Sequence, residues 1–367
     1  MDEIRLDKLT KRFGELVAVD HANLTVGHGE VMCLLGPSGC GKTTMLRMIA
    51  GLEWATSGDI WIGEKRVNDL PARDRNVAMT FQFYALYPSL PVEDNLAYPL
   101  YAENLSKAEI AKRVARVSEA LDLKSILKRR PHQLSEGEKQ RVAVGRSIVR
   151  DPTCFLFDEP LSRLDIQLRQ TMRTQIKEVL TKLDKPTVIV THDQIEALTM
   201  ADRIAVMQLG KVEQIATPHD LFAKPTNLFV ASFIGTPQMN LVPAALTDVG
   251  VRESDGSVSA RFSLLGETIS ARVNGGVAAL GRGAKVTLGI RPRSFEFANG
   301  SGADSLHASV DLIEPMGAEM LVHLIEQGVD MRSVVSSTEH ISVGDRVSVR
   351  CKRGQLHVFD NAGKLVG

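Results

Sequence analysis

Short apolar runs alternating with amphipathic stretches dominate the first two-thirds of the chain, the pattern of a parallel sheet covered by helices. Val31-Met32-Cys33-Leu34-Leu35, Cys154-Phe155-Leu156-Phe157 and Val188-Ile189-Val190 show no polar alternation, as strands buried on both faces should. Between residues 88 and 150 helical spacing takes over. Ser106-Lys107-Ala108-Glu109 spells a capping box, and Ile110, Val114, Val117 and Leu121 follow on one stripe. This segment reads as a helical insertion in the sheet domain. Leu164, Leu168, Met172, Ile176, Val179 and Leu180 mark a further amphipathic helix. It should end before Lys185-Pro186, because the residue ahead of a proline resists helical geometry.

Beyond residue 236 the pattern changes to short alternating segments such as Ser257-Val258-Ser259-Ala260-Arg261-Phe262. Turns rich in Gly and Asn separate them, among them Asn274-Gly275-Gly276 and Asn299-Gly300. The expectation is an α/β domain over 1–235 and an all-β domain over 236–367. Within the second, Gly283-Ala284-Lys285-Val286-Thr287-Leu288 is echoed by Gly344-Asp345-Arg346-Val347-Ser348-Val349, which predicts two related half-units, each a small barrel-like module. A chain of 367 residues exceeds what one hydrophobic core usually fills, in keeping with two domains.

Charge removes partners rather than adding them. With 44 Lys+Arg against 44 Asp+Glu and no block of like charge, nothing suggests a nucleic-acid tail or a polybasic membrane anchor. The start, Met1-Asp2-Glu3-Ile4-Arg5, lacks the apolar core of a signal peptide, and no apolar run reaches membrane-spanning length, so a soluble cytosolic chain is expected. Cys33, Cys40, Cys154 and Cys351 are scattered without metal-site spacing and read as reduced thiols.

Candidate chemistry begins at Gly36-Pro37-Ser38-Gly39-Cys40-Gly41-Lys42-Thr43-Thr44, which leaves the first buried strand and opens a helix. This is the context of a phosphate-binding loop. Glycines let the backbone curl with its N–H groups inward, and the helix N-terminus adds positive partial charge. Lys42 should reach the β- and γ-phosphates of ATP and Thr43 should place its hydroxyl on Mg2+. Asp158-Glu159 puts two carboxylates at a strand exit beside that loop, Asp158 for Mg2+ and Glu159 as general base for the attacking water. Gln82 leaves a short strand and is able either to touch Mg2+ or the water, or to be a solvated loop amide. His192 at another strand exit suits a γ-phosphate hydrogen bond or a structural role, with Asp193 capping the next helix. Leu134-Ser135-Glu136-Gly137-Glu138-Lys139-Gln140 opens a helix with a second capping box, Ser135 to Glu138. Its Ser hydroxyl and Gly137 amide form a ready anion site, although the chain already has a phosphate loop; the two are reconciled if this site serves another subunit's ATP.

The phosphate loop, Gln82, the Leu134 to Gln140 segment, Asp158-Glu159, Leu161-Ser162-Arg163-Leu164-Asp165 and His192 stand in the order of an ABC transporter ATPase, which the chain resembles over essentially its whole length. Gly289-Ile290-Arg291-Pro292, Glu314-Pro315-Met316-Gly317 and Leu356-His357-Val358-Phe359-Asp360 resemble the OB-like regulatory (TOBE) domain of carbohydrate-importer ATPases. The resemblance implies a P-loop fold with a helical subdomain and an ATP- and Mg2+-dependent ATPase that drives uptake of a sugar, polyol or glycerol-type solute. It implies a head-to-tail dimer in which Lys42 of one subunit and Ser135, Gly137 and Glu138 of the other grip one nucleotide. Phe13 should stack on adenine unless it is core, Asp165 should contact across the dimer, and the region from Phe83 to Pro88 should dock a helix of one of two transmembrane permease subunits. A periplasmic solute-binding protein would act indirectly, no nucleic acid is involved, and the chain would sit peripherally on the cytoplasmic face of a bacterial inner membrane.

Two departures bear on rate. The family's usual Leu-Ser-Gly-Gly-Gln has become Leu134-Ser135-Glu136-Gly137-Glu138, and two added carboxylates near a γ-phosphate should repel it, with Arg163 offsetting some of that charge. A slow ATPase, or a weakly catalytic partner of a paralogue in a heterodimer, is the alternative this raises. Cys40, inside the loop, should lose nucleotide binding when alkylated and be protected by ATP, or is merely a small residue that fits.

Overall fold

A computed structural model of the chain describes residues 3–162, 164–297, 304–352 and 354–367. Met1, Asp2, Arg163 and the Asn299-Gly300 turn therefore lie outside the described residues. The chain divides into two compact units, Met1–His219 and Asp220–Gly367.

The first unit opens with β1 (Ile4–Phe13) and β2 (Leu16–Val26), an antiparallel hairpin. Then come β3 (Val31–Leu35), α1 (Lys42–Ala50), β4 (Ser57–Ile62), β5 (Lys65–Arg66) and β6 (Val77–Thr80). The helical stretch holds α2 (Val92–Ala97), α3 (Lys107–Ala120) and α4 (Glu136–Ile148). After it run β7 (Cys154–Asp158), α5 (Ile166–Leu183), β8 (Thr187–Thr191), α6 (Gln194–Met200), β9 (Arg203–Gln208) and β10 (Lys211–Ala216). Two sheets result, one ordered β2-β1-β4-β5 and the other β10-β9-β3-β8-β7-β6. In the second, β9, β3, β8, β7 and β6 are mutually parallel and β10 is antiparallel.

Every residue of β3, β7 and β8 is buried, because helices or the other sheet cover both faces. On one face Leu34, Cys154, Leu156, Val188 and Val190 share a core with Met45, Leu46, Met48 and Ile49 of α1 and with Ile4, Leu6 and Leu24 of the antiparallel sheet. On the other, Phe155, Phe157 and Ile189 pack with Leu96, Val117, Val142, Met172 and Ile176 from α2 to α5. Neighbouring residues of one strand thus serve different cores, which is why period-2 alternation of polarity is missing.

The antiparallel sheet goes beyond the βα alternation expected of this part of the chain. Register shifts between Leu6 and Leu9 and again before Arg12 interrupt the alternation of β1, so no clean period survives there. Ser106 caps α3 through the Glu109 amide at 3.2 Å, but the Glu109 carboxylate lies against Arg113 at 3.5 Å instead of completing the expected box.

The second unit carries α8 (Leu228–Phe233), preceded by α7 (Pro218–Ala223) at the boundary, and then strands alone. These are β11 (Asn240–Arg252), β12 (Ser257–Leu264), β13 (Glu267–Asn274), β14 (Lys285–Ile290) and β15 (Phe295–Phe297). Following them are β16 (Leu306–Pro315), β17 (Glu319–Glu326), β18 (Val329–Ser336), β19 (Arg346–Cys351) and β20 (Leu356–Phe359). They form two antiparallel sheets, β13-β12-β11-β14-β20 and β15-β19-β16-β17-β18. The echoed segments fall on β14 and β19, each one strand in from an edge of its own sheet. The correspondence reaches single bonds. Gly283 at φ 79° donates to the Leu246 carbonyl at 2.7 Å and Gly344 at φ 91° to the Val310 carbonyl at 2.8 Å. In return Leu246 bonds back to Ala284, and Val310 to Asp345. Both glycines occupy left-handed backbone that a side chain would strain.

Candidate active site

Sheet order gathers the candidate groups. Strands β3, β8, β7 and β6 are parallel neighbours, so their carboxyl ends open on one edge. The segments leaving them carry, in that spatial order, the glycine-rich loop, His192, Asp158-Glu159 and Gln82.

Within the loop, a Cβ on Gly36 would come within 2.3 Å of the Met207 carbonyl oxygen. One on Gly41, which sits at φ 105°, would come within 2.2 Å of the Ala18 carbonyl oxygen. Both positions therefore require glycine, and the second presses the loop against the β1–β2 hairpin. Gly41 is also the N-cap of α1, whose first amides lack partners inside the helix and suit an anion. Lys42 is buried, and its Nζ donates to the Gly36 and Pro37 carbonyls at 2.8 and 2.9 Å. Pro37, Ser38 and Gly39 are exposed on the rim, and Thr44 is half-buried. Cys40 is 4% exposed with its Sγ 3.6 Å from Lys42 Nζ, so alkylation would first require the loop to open.

The Thr43 hydroxyl donates to Asp158 Oδ1 at 3.1 Å. Burial pushes the Asp158 carboxyl above the usual carboxylate range, with the Thr43 bond and Arg47 offsetting part of that. A desolvated carboxylate beside a hydroxyl is a hard-oxygen pair of the kind that Mg2+ takes, and the residues present fit that ion.

Glu159 is the centre of the cluster. Gln82 Nε2 donates to its Oε2 at 2.8 Å, and His192 Nδ1 lies 3.2 Å from its Oε1. A proton on Nδ1 completes that bond and leaves Nε2 available for another partner. Glu159 is held at φ 49°, left-handed for a residue with a side chain. Its amide donates to the Val190 carbonyl at 2.9 Å, and its carbonyl accepts the Ser162 hydroxyl at 3.2 Å, so neighbours on both sides impose the conformation.

His192 stands on a second network that sequence reasoning missed. The Thr191 hydroxyl donates to Glu196 Oε2 at 2.6 Å, and the Asp193 amide donates to Thr191 Oγ1 at 3.0 Å. Asp193 caps α6 through the Ile195 and Glu196 amides. Arg169 of α5 bonds Asp193 Oδ2 and the Leu164 carbonyl, both at 3.0 Å, joining the His192 loop to the segment that bears Asp165. Burial opposes the charge on Asp193, yet the two amides and Arg169 outweigh it and hold the carboxyl below its ordinary range. Burial drives Glu196 the other way, upward. The spacing Asp193 to Glu196 resembles a capping box and was the available signal for Glu196; nothing local announces Arg169.

The remaining candidates lie elsewhere. Phe13 is 47% exposed at the end of the hairpin that carries Ala18, with Lys11 Nζ 4.6 Å from its ring centre, so it is not core. Asp165 caps α5 through the Leu168 amide at 2.9 Å. Ser135 caps α4, and the reciprocal box with Glu138 is complete: Glu138 N to Ser135 Oγ is 3.3 Å and Ser135 N to Glu138 Oε2 is 2.7 Å. Gly137 is buried, and a Cβ there would meet Leu168 Cδ2 at 2.3 Å, so close packing of α4 on α5 also asks for glycine. The expected crowding of negative charge at this tip is relieved. Glu138 points back to its own cap with Arg129 at 3.6 Å, and Glu136 accepts from Lys139 at 2.7 Å and from the Tyr84 hydroxyl at 2.8 Å.

Comparison with known proteins shows the family to which the chain belongs. Residues 19–162 match the family described as ABC transporter, and residues 266–359 match the TOBE domain. The trehalose/maltose import ATP-binding protein MalK of Thermococcus litoralis is 43% identical, with all of both chains covered. The sn-glycerol-3-phosphate import ATP-binding protein UgpC of Escherichia coli K12 is 42% identical over 98% of each chain. Among solved structures, a dimeric ATP-binding cassette in a post-hydrolysis state bound to ADP and Pi superposes with TM-score 0.53 and 31% identity. It covers 59% of this chain and 98% of its own.

Proposed function

Since this chain belongs to the ABC transporter family, as the ATP-hydrolysing subunit of an importer, we propose that the cluster at the sheet edge is its hydrolytic centre and that a second copy completes it. The observation that carries this reading is the Glu159 carboxylate, set between Gln82 and His192 and next in sequence to the Asp158–Thr43 pair.

ATP binds with its phosphates in the loop Gly36 to Thr44, and Lys42 exchanges the Gly36 and Pro37 carbonyls for β- and γ-phosphate oxygens. Thr43, Asp158 and the Gln82 amide oxygen hold Mg2+, whose contribution is to neutralise charge on the phosphates. Glu159 orients a water and accepts its proton as the water oxygen bonds the γ-phosphorus and the bond to the bridging oxygen of ADP breaks. His192, as an imidazolium, keeps its Nδ1 proton on Glu159 and donates from Nε2 to the phosphoryl oxygens that gain charge. Phe13 stacks on the adenine. Ser135, the Gly137 amide and Glu138 of the partner cap the same nucleotide, with Asp165 contacting across the dimer. The segment from Phe83 to Pro88 receives a helix of one of two permease subunits, with the chain on the cytoplasmic face of the membrane and a solute-binding protein on the far side. Hydrolysis belongs to residues 1–235 and regulation to 236–367.

The names of full-length relatives support a sugar or a glycerol-type solute. Uptake of labelled maltose or glycerol 3-phosphate in cells lacking the chain should return with the wild-type protein and not with Glu159→Gln. For the chemistry itself, Glu159→Gln should cut phosphate release by on the order of a hundredfold or more while ATP still binds. Undiminished release by that variant would remove Glu159 from its role.

A further inference from the structure

The carboxylate of Glu136 occupies a position where the family's pattern has glycine, and its two oxygens face different ways. Oε1 meets Lys139 Nζ on its own helix at 2.7 Å, whereas Oε2 accepts the hydroxyl of Tyr84 at 2.8 Å from a loop 52 residues earlier. Tyr84 is half-buried and stands two residues after Gln82, whose amide holds Glu159. Helix α4 grips that loop a second time, at its other end. Arg146 donates to the Ala85 carbonyl and lies 4.8 Å over the Tyr87 ring. The loop between β6 and α2 is thereby strapped along α4, and the strap nearest the helix tip depends on Glu136, the residue next to Ser135.

We propose that Glu136 is a positioning residue: its bond to Tyr84 makes the Gln82 loop and the Ser135 tip of α4 move as one body. The proposal rests on the assignment of Gln82 and Ser135 to nucleotide sites given above. In that arrangement Gln82 serves the ATP of its own protomer and Ser135 the ATP of the partner, so Glu136 links the state of one site to the other. A glycine at this position has no side chain with which to do so. The acidic substitution is therefore a gain of connection, and Lys139 both orients it and offsets its charge.

The test is a double-mutant cycle on steady-state ATP hydrolysis by the purified full-length protein, with wild type, Tyr84→Phe, Glu136→Gly and the double variant. Phenylalanine removes only the phenolic oxygen. Each single change should lower kcat by roughly tenfold or more, the scale of one hydrogen bond to a charged group, and leave KM for ATP within about twofold. The double variant should be no slower than the slower single. Glu136→Gln keeps an acceptor for Tyr84 and should return kcat to near the wild-type rate. Because glycine in a first helical turn can also weaken the helix, the Tyr84→Phe and Glu136→Gln arms decide the matter on their own. Wild-type rates in Tyr84→Phe, or losses that multiply in the double variant, overturn the proposal. Glu159→Gln run alongside separates the two readings: if it is inactive while the cycle shows no coupling, the strap is wrong and the hydrolytic centre stands. If Glu159→Gln is active, the centre itself has been misassigned.

Discussion

Buried beneath the His192 loop, Glu196 is 2% exposed and carries a carboxyl pushed above its unfolded value of 4.5 by desolvation. The sign of its effect follows from that direction. Keeping the ionised form inside costs stability, the cost is absent below the unfolded value, and it grows as pH rises through the folded one. Glu196→Gln keeps an acceptor for the Thr191 hydroxyl and loses the charge. Its melting temperature relative to wild type should therefore be higher at about pH 7 than at about pH 4; a difference independent of pH would show that the burial of charge is compensated. At this scale, legibility in the sequence tracked locality. Lys42, Thr43, Asp158 and Glu159 announce their chemistry through adjacent residues, and Ser135 through a box that closes within four positions. Gln82 and His192 left two readings open, because what distinguishes them is a shared bond to Glu159 from opposite sides, 77 and 33 residues away. Arg169 and the Tyr84–Glu136 bond were invisible for the same reason. The sequence showed the charges of Glu136 and Glu138 and the Ser135–Glu138 box, but not that Glu136 turns to Lys139 and Tyr84.

Among elements, the strands that read most clearly were those buried on both faces, β3, β7 and β8, since a short unbroken apolar run between turns suits a segment that water reaches from neither side. Strand β1 hid because its bulges shift the inward-facing set partway along, and a period broken within ten residues leaves little signal. The duplicated turn-and-strand of the second unit was legible from two echoed six-residue segments, and the bonds of Gly283 and Gly344 match in the same way. What was not legible is how that unit fastens its first helices. Arg291 is buried, stacks 4.1 Å over Phe222, and donates to the Phe222, Ala231 and Ile234 carbonyls. Desolvation lowers its pKa to about 10. Arg291→Ala should strand these carbonyls and cost about 3 kcal/mol. In calorimetry the transition of this unit should fall by on the order of 10 °C, and an unmoved transition would mean that water replaces the guanidinium without loss.

For the molecule as a whole, the proposed division of one catalytic centre between two chains has a direct readout in mass. Glu159→Gln with ATP and Mg2+ should elute at twice the monomer mass in light scattering, because closure can occur while its reversal by hydrolysis cannot. Adding Ser135→Arg should return it to the monomer and leave nucleotide binding by each chain intact. A dimer that persists with Ser135→Arg would move the interface away from the α4 tip. The grip on Glu159 has a further meaning at this scale. With one oxygen of Glu159 accepting from Gln82 and the other facing His192, the direction of its carboxylate is set by two other strand exits, while each oxygen keeps a lone pair for a water. A change at either of those exits would turn the carboxylate, so three segments far apart in the chain share the aim of one side chain.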